Sequence, residues 1–245
     1  MLSTPSAASA VFNAADGTLA GVTSGKAIVD CATLAETDHQ EMSEKVTSAG
    51  GLYLEAPVSG SKGPAAGGSL IFLCGGSSAV FDAIKDDGFN AMGKKSYLLG
   101  EEVGVGTKAK LVVNSVMGTM LAAFGEGLAL TQACGLDGDT MVEIMGLGAI
   151  AAPMYALKGP KMVKNPPDHG VNFPLKHAHK DMELAKDMAE KEGVEYKVNN
   201  AAEGIFKRAR EAGVGLEDLD FSAVFEQIHE DSKEKCEFSG KRQKK

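Results

Sequence analysis

The sequence predicts an α/β domain followed by an all-helical domain, with one long helix joining them. Short apolar runs alternate with helical patterns before Gly104, and this alternation is typical of an α/β sheet. After Gly104 no convincing strand follows, and helical segments succeed one another with glycine or proline between them. We therefore predict a first domain at 1–103, a helical domain at 104–232 and a basic tail at 233–245.

The first domain is predicted to contain short buried strands separated by helices. A doubly wound sheet has more strands than this segment supplies, and its phosphate-binding turn follows the first strand. No run before residue 30 can form that turn, and Met1–Ser3 read as the end of a strand. We expect a partial Rossmann-type domain whose first βαβ part is missing. The predicted strands are Ala27–Asp30, Leu52–Ala56, Leu70–Cys74 and Ser96–Leu99, and the predicted helices are Glu36–Ala49 and Ala79–Ala91.

The joining helix is predicted from Gly104 to Cys134, where apolar residues recur at helical spacing without a proline. Lys110 and Asn114 are four residues apart in its first turns, so they share one face. A lysine beside an apolar stripe either extends to water or points into a cleft. The later helices are predicted at Asp139–Met145, Leu175–Glu192, Asn199–Ala212 and Phe221–His229.

The glycines that open this helix resemble a dinucleotide fingerprint, Gly104-x-Gly106-x-x-Ala109, with Glu126 further on. The fingerprint requires a second strand that ends at the acidic residue, whereas Glu126 lies inside the same helical pattern. We therefore reject the nucleotide interpretation. We expect these glycines to let the chain approach another group closely as it enters the helix.

Composition excludes several classes of protein. A net charge of -8 argues against a nucleic-acid binder. No apolar run is long enough for a bilayer span, so we expect no membrane partner. The start shows no secretory signal. The four cysteines are far apart, which indicates reduced thiols in an intracellular protein. We expect the cytoplasm as its compartment, with an organelle as the alternative. His177 and His179 are two residues apart on a predicted helix, so they point to different faces and we predict no metal site.

Three segments carry residues suited to chemistry. Glu55–Gly63 follows a strand, and its small residues leave backbone N–H groups and hydroxyls free to hold an anion, or form a plain turn. Thr33 follows the predicted strand Ala27–Asp30, and it is either a binding residue or a helix cap or ST-turn residue. Phe173–Met182 starts a helix with lysines one turn apart, which line a site or form a solvated face.

Together these segments resemble the β-hydroxyacid dehydrogenase family. The resemblance is carried by Glu55-Ala-Pro-Val-Ser-Gly60, by Gly104-Val-Gly-Thr-Lys-Ala-Lys110-Leu-Val-Val-Asn114 and by Lys180-Asp-Met-Glu-Leu-Ala185, in the family's order. Within the family, the segments Pro57–Lys62, Phe173–His177 and Leu219–Val224 look most like those of plant-type glyoxylate/succinic semialdehyde reductases.

The resemblance implies a Rossmann-type NADP-binding domain and a helical domain that assembles into a homodimer or homotetramer. It also implies hydride transfer from NADPH to a small aldehyde that bears a carboxylate, without a metal. By motif position, Lys110 is the catalytic lysine and Asn114 its partner at the substrate. The other implied residues are Ser59, Gly60 and Ser61 for the substrate carboxylate, Phe173 and Asp181 for the pocket, and Leu2, Ser3, Thr33 and Lys180 for the cofactor.

The sequence departs from the family because its members begin upstream with a strand and a G-x-G-x-x-G turn, which binds the cofactor pyrophosphate. We expect a fragment or a mis-started gene model, rather than a protein that has lost cofactor binding, since Lys110, Asn114 and the Ser59 loop are intact. Two alternatives stay open. One is an NAD-dependent 3-hydroxyisobutyrate-type dehydrogenase, and the other is a non-catalytic oligomeric module.

Overall fold

The structure, a computed structural model, describes residues 1–164 and 167–232. Its contacts form two compact units, of which the first is Met1–Asn114 and the second begins at Ser115. The α/β segment precedes the helical one, as the sequence predicts. The predicted domain limits stay predictions, and the tail at 233–245 lies outside the described residues.

The first unit is built on a mixed sheet of five strands. Its strands are β1 (Ala27–Asp30), β2 (Leu52–Glu55), β3 (Val58–Ser59), β4 (Leu70–Gly76) and β5 (Gly93–Gly100). Its helices are α1 (Pro5–Asn13), α2 (Glu36–Ser48), α3 (Lys62–Ala66), α4 (Ser78–Ile84) and α5 (Asn90–Met92), with a 3-10 turn at Leu19–Gly21 and a π-helical stretch at Lys85–Phe89. All four predicted strands and both predicted helices are present.

The sheet is not purely parallel. Strand β1 pairs with β2 and β4 with β5 in parallel, whereas β2 and β3 both run antiparallel to β4. Strands β2 and β3 lie along the same neighbour and are interrupted at Ala56–Pro57, where proline cannot donate to the ladder. The Leu73 N–H still donates to the Pro57 carbonyl at 2.9 Å, so the chain stays attached to β4 across the interruption.

Both faces of this sheet are covered. Successive residues of a strand point to opposite faces. Accordingly, Tyr53 packs in one cluster with Phe12 of α1 and Met42 of α2, whereas Leu54 packs in another with Val80 and Phe89. The interpretation of Met1–Ser3 as the end of a strand is wrong, because these residues are irregular and Thr4 then caps α1 by accepting from the Ala7 N–H at 3.2 Å.

The second unit is helical in its described part, and its helices pack around the continuation of α6 (Val105–Ala133). They are α7 (Gly138–Leu147), α8 (Pro153–Met162), α9 (Leu175–Lys191), α10 (Lys197–Glu211) and α11 (224–232), which 3-10 turns at Leu216–Asp218 and Phe221–Ala223 precede. Sequence analysis missed α8 because Pro153 and Pro160 read as breaks. Pro153 instead occupies the first turn, where its missing N–H costs nothing, and Pro160 is tolerated near the end.

Helix α6 corrects one expectation from composition. By length and apolar character alone it could cross a membrane, so the statement that no run is long enough is wrong. Half of its most apolar window is buried inside the protein, which a core helix of a soluble protein also shows. This helix therefore gives only weak support for a membrane span.

Candidate functional site

The entrance of α6 is held by a buried carboxylate. Glu55, the last residue of β2, is fully buried, and its Oε1 accepts from the backbone N–H groups of Gly104 at 2.6 Å and Gly106 at 2.8 Å. Its Oε2 accepts from the Thr107 hydroxyl at 2.6 Å and the Thr107 N–H at 3.2 Å. The first N–H groups of a helix have no partner within the helix. Glu55, a residue of β2, therefore caps the N-terminus of α6 with its side chain.

Glycines make room for this contact. A Cβ on Gly75 would lie 2.5 Å from Glu55 Oε1, and one on Gly106 would lie 2.3 Å from the Leu73 carbonyl oxygen. Gly104 has φ +117°, a conformation that favours glycine. The expectation that the glycines permit a close approach is thus confirmed. The approaching group is the Glu55 carboxylate, an anion bound by N–H groups at a helix N-terminus.

Lys110 and Asn114 lie together one turn further along α6. Lys110 Nζ donates to Asn114 Oδ1 at 2.9 Å, and both residues are buried. The predicted shared face is therefore present, and the alternative of a lysine extended into water is wrong. A buried ammonium requires polar partners, and the amide oxygen of Asn114 supplies one of them.

The Ser59 loop, which comprises Ser59, Gly60 and Ser61, contains two side-chain hydroxyl groups. Neither hydroxyl forms a hydrogen bond with another described residue. Ser59 pairs through its backbone with Ile71 of β4, and Ser61 precedes α3 without capping it through its side chain. Both residues are half-buried, and Gly60 between them is exposed with φ +128°. Since neither hydroxyl is used among these residues, the loop has donors available, and its binding of an anion stays a prediction.

Thr33 and the Ser59 loop follow neighbouring parallel strands at one edge of the sheet. Thr33 follows β1, whose Asp30 Oδ1 accepts from the Ala32 N–H at 2.9 Å, and parallel β2 leads into the Ser59 loop at the same edge. Burial raises the pKa of the Cys31 thiol to about 11, and the charge of the Met1 amino group opposes this increase. Leu2 and Ser3 are both exposed, and their role at the cofactor stays a prediction.

In the second unit, Lys180 and Asp181 lie side by side near the start of α9. Lys180 Nζ is 2.7 Å from Asp181 Oδ1, and Asp181 is buried. Burial lowers the pKa of His177, and the positive charges of Lys176 and Lys180 lower it further. Lys176 in turn pairs with Asp218, so each of these two lysine charges has a carboxylate partner.

Phe173 is fixed by a residue that sequence analysis did not assign to the site. Asp220 Oδ2 accepts from the Phe173 N–H at 3.1 Å, and the Phe221 N–H donates to the Phe173 carbonyl at 2.8 Å. The ring of Phe173 packs edge-on against that of Phe221 at 5.6 Å. The only signal in the sequence was that these two segments share a resemblance to the same family, without any indication that they pair.

Asp220 is itself half of a buried ion pair. Lys158 Nζ lies 2.7 Å from both carboxylate oxygens, and both side chains are almost fully buried. Burial alone would raise the pKa of Asp220, but the Lys158 hydrogen bonds and charge, with the N–H groups of Phe173 and Ser222, lower it below the ordinary value. The pair therefore holds the Phe173 segment as an ionised unit.

A second polar cluster surrounds His179. Its Nε2 is 2.8 Å from Glu203 Oε1, and Arg210 Nη1 is 3.0 Å from its Nδ1, which fits a neutral ring protonated on Nε2. Ligand atoms of His179, Glu183 and Glu203 lie within 4.8 Å of one another, so the group could hold a metal ion. Arg210 already places a cation against His179 and Glu183, and the absence of a metal stays a prediction.

The residues fit the nicotinamide dinucleotide that the resemblance implies. Nucleotides bind at the carboxyl ends of the strands in α/β sheets, and this edge carries Thr33 and the Ser59 loop. Since Glu55 takes the N–H groups at the entrance of α6, the cofactor phosphates would be held elsewhere.

Comparison with known proteins gives the family. Residues 104–228 match the model described as the NAD-binding domain of NADP-dependent 3-hydroxyisobutyrate dehydrogenase. Residues 1–100 match the NAD-binding domain of 6-phosphogluconate dehydrogenase. The solved structure of a 3-hydroxyisobutyrate dehydrogenase from Salmonella typhimurium has a TM-score of 0.83 and 25% identity, over 92% of this chain and 76% of that one.

Two relatives from Arabidopsis thaliana are more similar in sequence. Glyoxylate/succinic semialdehyde reductase 1 is 44% identical over 93% of this chain and 77% of its own length. The chloroplastic glyoxylate/succinic semialdehyde reductase 2 is 43% identical over 93% of this chain, which spans 62% of that relative. These matches, with the mixed sheet and the helical unit, show that the chain belongs to the β-hydroxyacid dehydrogenase family of oxidoreductases.

Proposed function

We propose that the protein reduces a small aldehyde bearing a carboxylate, glyoxylate or succinic semialdehyde, to the corresponding hydroxy acid. The observation that carries this proposal is the buried Lys110–Asn114 pair, at 2.9 Å, one turn beyond a helix entrance fixed by Glu55. A lysine held in this way suits reduction of a carbonyl. The names of the two plant relatives support the choice of substrates.

Lys110 would act on the carbonyl oxygen. Bound NADPH supplies the hydride that adds to the aldehyde carbon. Negative charge then develops on the oxygen, where the Lys110 ammonium stabilises it and donates a proton to complete the alcohol. Asn114 Oδ1, which accepts from Lys110 Nζ, would hold the ammonium in one direction throughout.

The Ser59 loop would hold the carboxylate of the substrate. Ser59 and Ser61 offer hydroxyl donors, and Gly60 offers a backbone N–H without a side chain in the way. Hydrogen bonds to a charged acceptor are about twice as strong as neutral ones. Fixing the carboxylate would set which face of the aldehyde receives the hydride, which is a large part of catalysis by orientation.

The remaining assignments belong to the same proposal. Phe173 and Asp181 would shape the substrate pocket, and Leu2, Ser3, Thr33 and Lys180 would contact the cofactor. The matched model named for an NADP-dependent enzyme supports NADPH over NADH. We also propose a homodimer or homotetramer formed through the helical unit, which exposes large apolar side chains at Leu130, Ile144, Leu147 and Ile150.

The proposed compartment is the cytoplasm. Cys31, Cys74 and Cys134 are free thiols, which suits a reducing compartment, and Cys236 lies outside the described residues.

A second candidate is oxidation of 3-hydroxyisobutyrate with NAD, and the names of the matched model and of the Salmonella structure support this substrate. The test is a panel on the full-length gene product, with glyoxylate, succinic semialdehyde and 3-hydroxyisobutyrate against NADPH, NADH, NADP and NAD. The proposal expects the highest kcat/KM for an aldehyde acid with NADPH. A higher value for 3-hydroxyisobutyrate with NAD would replace it with the second candidate, and no turnover with any pair would favour a non-catalytic module.

A further inference from the structure

Glu55 lies between the two segments of the first unit that carry the proposed site. Ser59 follows Glu55 by four residues along the chain, and the backbone of Val58 and Ser59 pairs with β4. Through its carboxylate, Glu55 holds Gly104, Gly106 and Thr107, and Lys110 follows Thr107 after about one helical turn. The Glu55 side chain therefore connects the segment that leads to the Ser59 loop with helix α6, which carries Lys110.

The contact is built to hold one geometry. Both oxygens are used, four donors converge on them, and neither Glu55 nor Thr107 is exposed to water. Hydrogen bonds from N–H groups to an ionised carboxylate are short and strong, and the positive end of the helix dipole favours the negative charge. A Cβ at Gly75 or Gly106 would intrude on the carboxylate or on β4.

Strand β4 fixes the same two segments from its own backbone. The Leu73 N–H donates to the Pro57 carbonyl, next to the start of β3. The Leu73 carbonyl faces Gly106, against which only a hydrogen can fit. Glu55 and Leu73 thus connect the Ser59 loop with the first turn of α6 at two separate points.

We infer that Glu55 is a positioning residue, which sets the distance between Lys110 and the Ser59 loop and so aligns the carbonyl with its proton donor. This inference rests on the proposed function for its effect on turnover, although not for its effect on the local structure. A misplacement of about 1 Å in such an arrangement can cost about 100-fold in rate.

The variant Glu55→Gln tests the inference because it preserves shape and removes the charge. The amide oxygen can still accept from Gly104 and Gly106, but the amide NH₂ would face the Thr107 N–H, so this donor loses its acceptor. We expect kcat with glyoxylate to fall by about 10- to 100-fold. The control is Val46→Ala, which removes fully buried volume from α2 in the same unit but away from Glu55. It should lower stability and leave kcat within about twofold at a temperature where both variants are folded.

Hydrogen exchange measured by mass spectrometry gives a readout that does not depend on activity. In Glu55→Gln, amides of 105–110 and of 58–61 should both exchange faster than in the wild type, whereas Val46→Ala should leave both segments unchanged. Faster exchange in both segments together with the loss of kcat supports the inference. An unchanged Ser59 loop, or a kcat loss no larger than in Val46→Ala, overturns it. If the wild type reduces no aldehyde, the proposed function fails, and the exchange result alone then decides the role of Glu55.

Discussion

Replacing Lys158 with methionine should destabilise the helical unit strongly. Lys158 Nζ bonds both oxygens of Asp220 at 2.7 Å and lies 5.0 Å from the centre of the Phe221 ring. Methionine has a similar length and fills the same apolar surroundings, so Lys158→Met removes the charge with little loss of volume. Among the residues that the structure describes, the buried Asp220 carboxylate then keeps only the backbone N–H donors of Asn172, Phe173 and Ser222.

The size of the effect follows from this geometry. Removing one partner of a buried ion pair costs about 3–5 kcal/mol, because the other charge is left uncompensated. For a chain of this size we expect the Tm to fall by roughly 6–20 °C. Adding Asp220→Asn to Lys158→Met removes the stranded charge and should recover about half of the loss or more, since its amide oxygen can still accept from the Phe173 N–H.

The assay is urea denaturation followed by circular dichroism, at neutral pH and at about pH 4.5. In the wild type the pKa of Asp220 is lowered, so its stabilising contribution is complete above the unfolded pKa of about 3.9 and is lost as the pH falls through the folded value. In Lys158→Met uncompensated burial raises this pKa instead. In this variant, stability is lost as the pH rises through the raised pKa. The difference in free energy of unfolding between the wild type and Lys158→Met should therefore become smaller toward acid pH. A cost below about 1 kcal/mol at neutral pH, or a difference independent of pH, would refute this account.

Two further predictions concern the first unit and the thiols. Ser59→Ala should weaken glyoxylate binding by about 1–3 kcal/mol, seen as a higher KM, because a charged acceptor loses a donor; unchanged KM and kcat would remove Ser59 from the site. In the native protein Cys134, which is exposed, should react with iodoacetamide at least about tenfold faster than Cys31 and Cys74, since burial raises the pKa of these two thiols to about 11 and about 12. Equal labelling rates, mapped by mass spectrometry, would contradict this.

Local pattern was sufficient for most of the fold. Apolar runs of four or five residues predicted β1, β2 and β4, and helical spacing predicted α6 and α9. Strand β3 was not predicted because it has only two residues, and its pairing depends on β4 rather than on its own sequence. Helix α8 escaped because the rule that proline breaks helices does not hold in the first turn.

Within the site, sequence reasoning found pairs that are close along the chain and missed those that are not. Lys110 and Asn114 were predictable because four residues on a helix define a contact. Glu55 and Thr107 are separated by 52 residues, and Lys158 and Asp220 by 62, so no local period relates them. The weak signal for Glu55 was a charged residue ending an apolar strand, which must find buried donors once the strand is central.

The most direct test of the central claim compares two lysines of the same helix. Lys110 is buried against Asn114, whereas Lys108 is partly exposed and pairs with Glu36 at 2.9 Å. The measurement is kcat for NADPH-dependent glyoxylate reduction by the full-length gene product, its Lys110→Met variant and its Lys108→Met variant. The account predicts a fall of about 10²–10⁴ for Lys110→Met and less than about threefold for Lys108→Met. Near wild-type turnover in folded Lys110→Met would contradict the role of Lys110 as the proton donor.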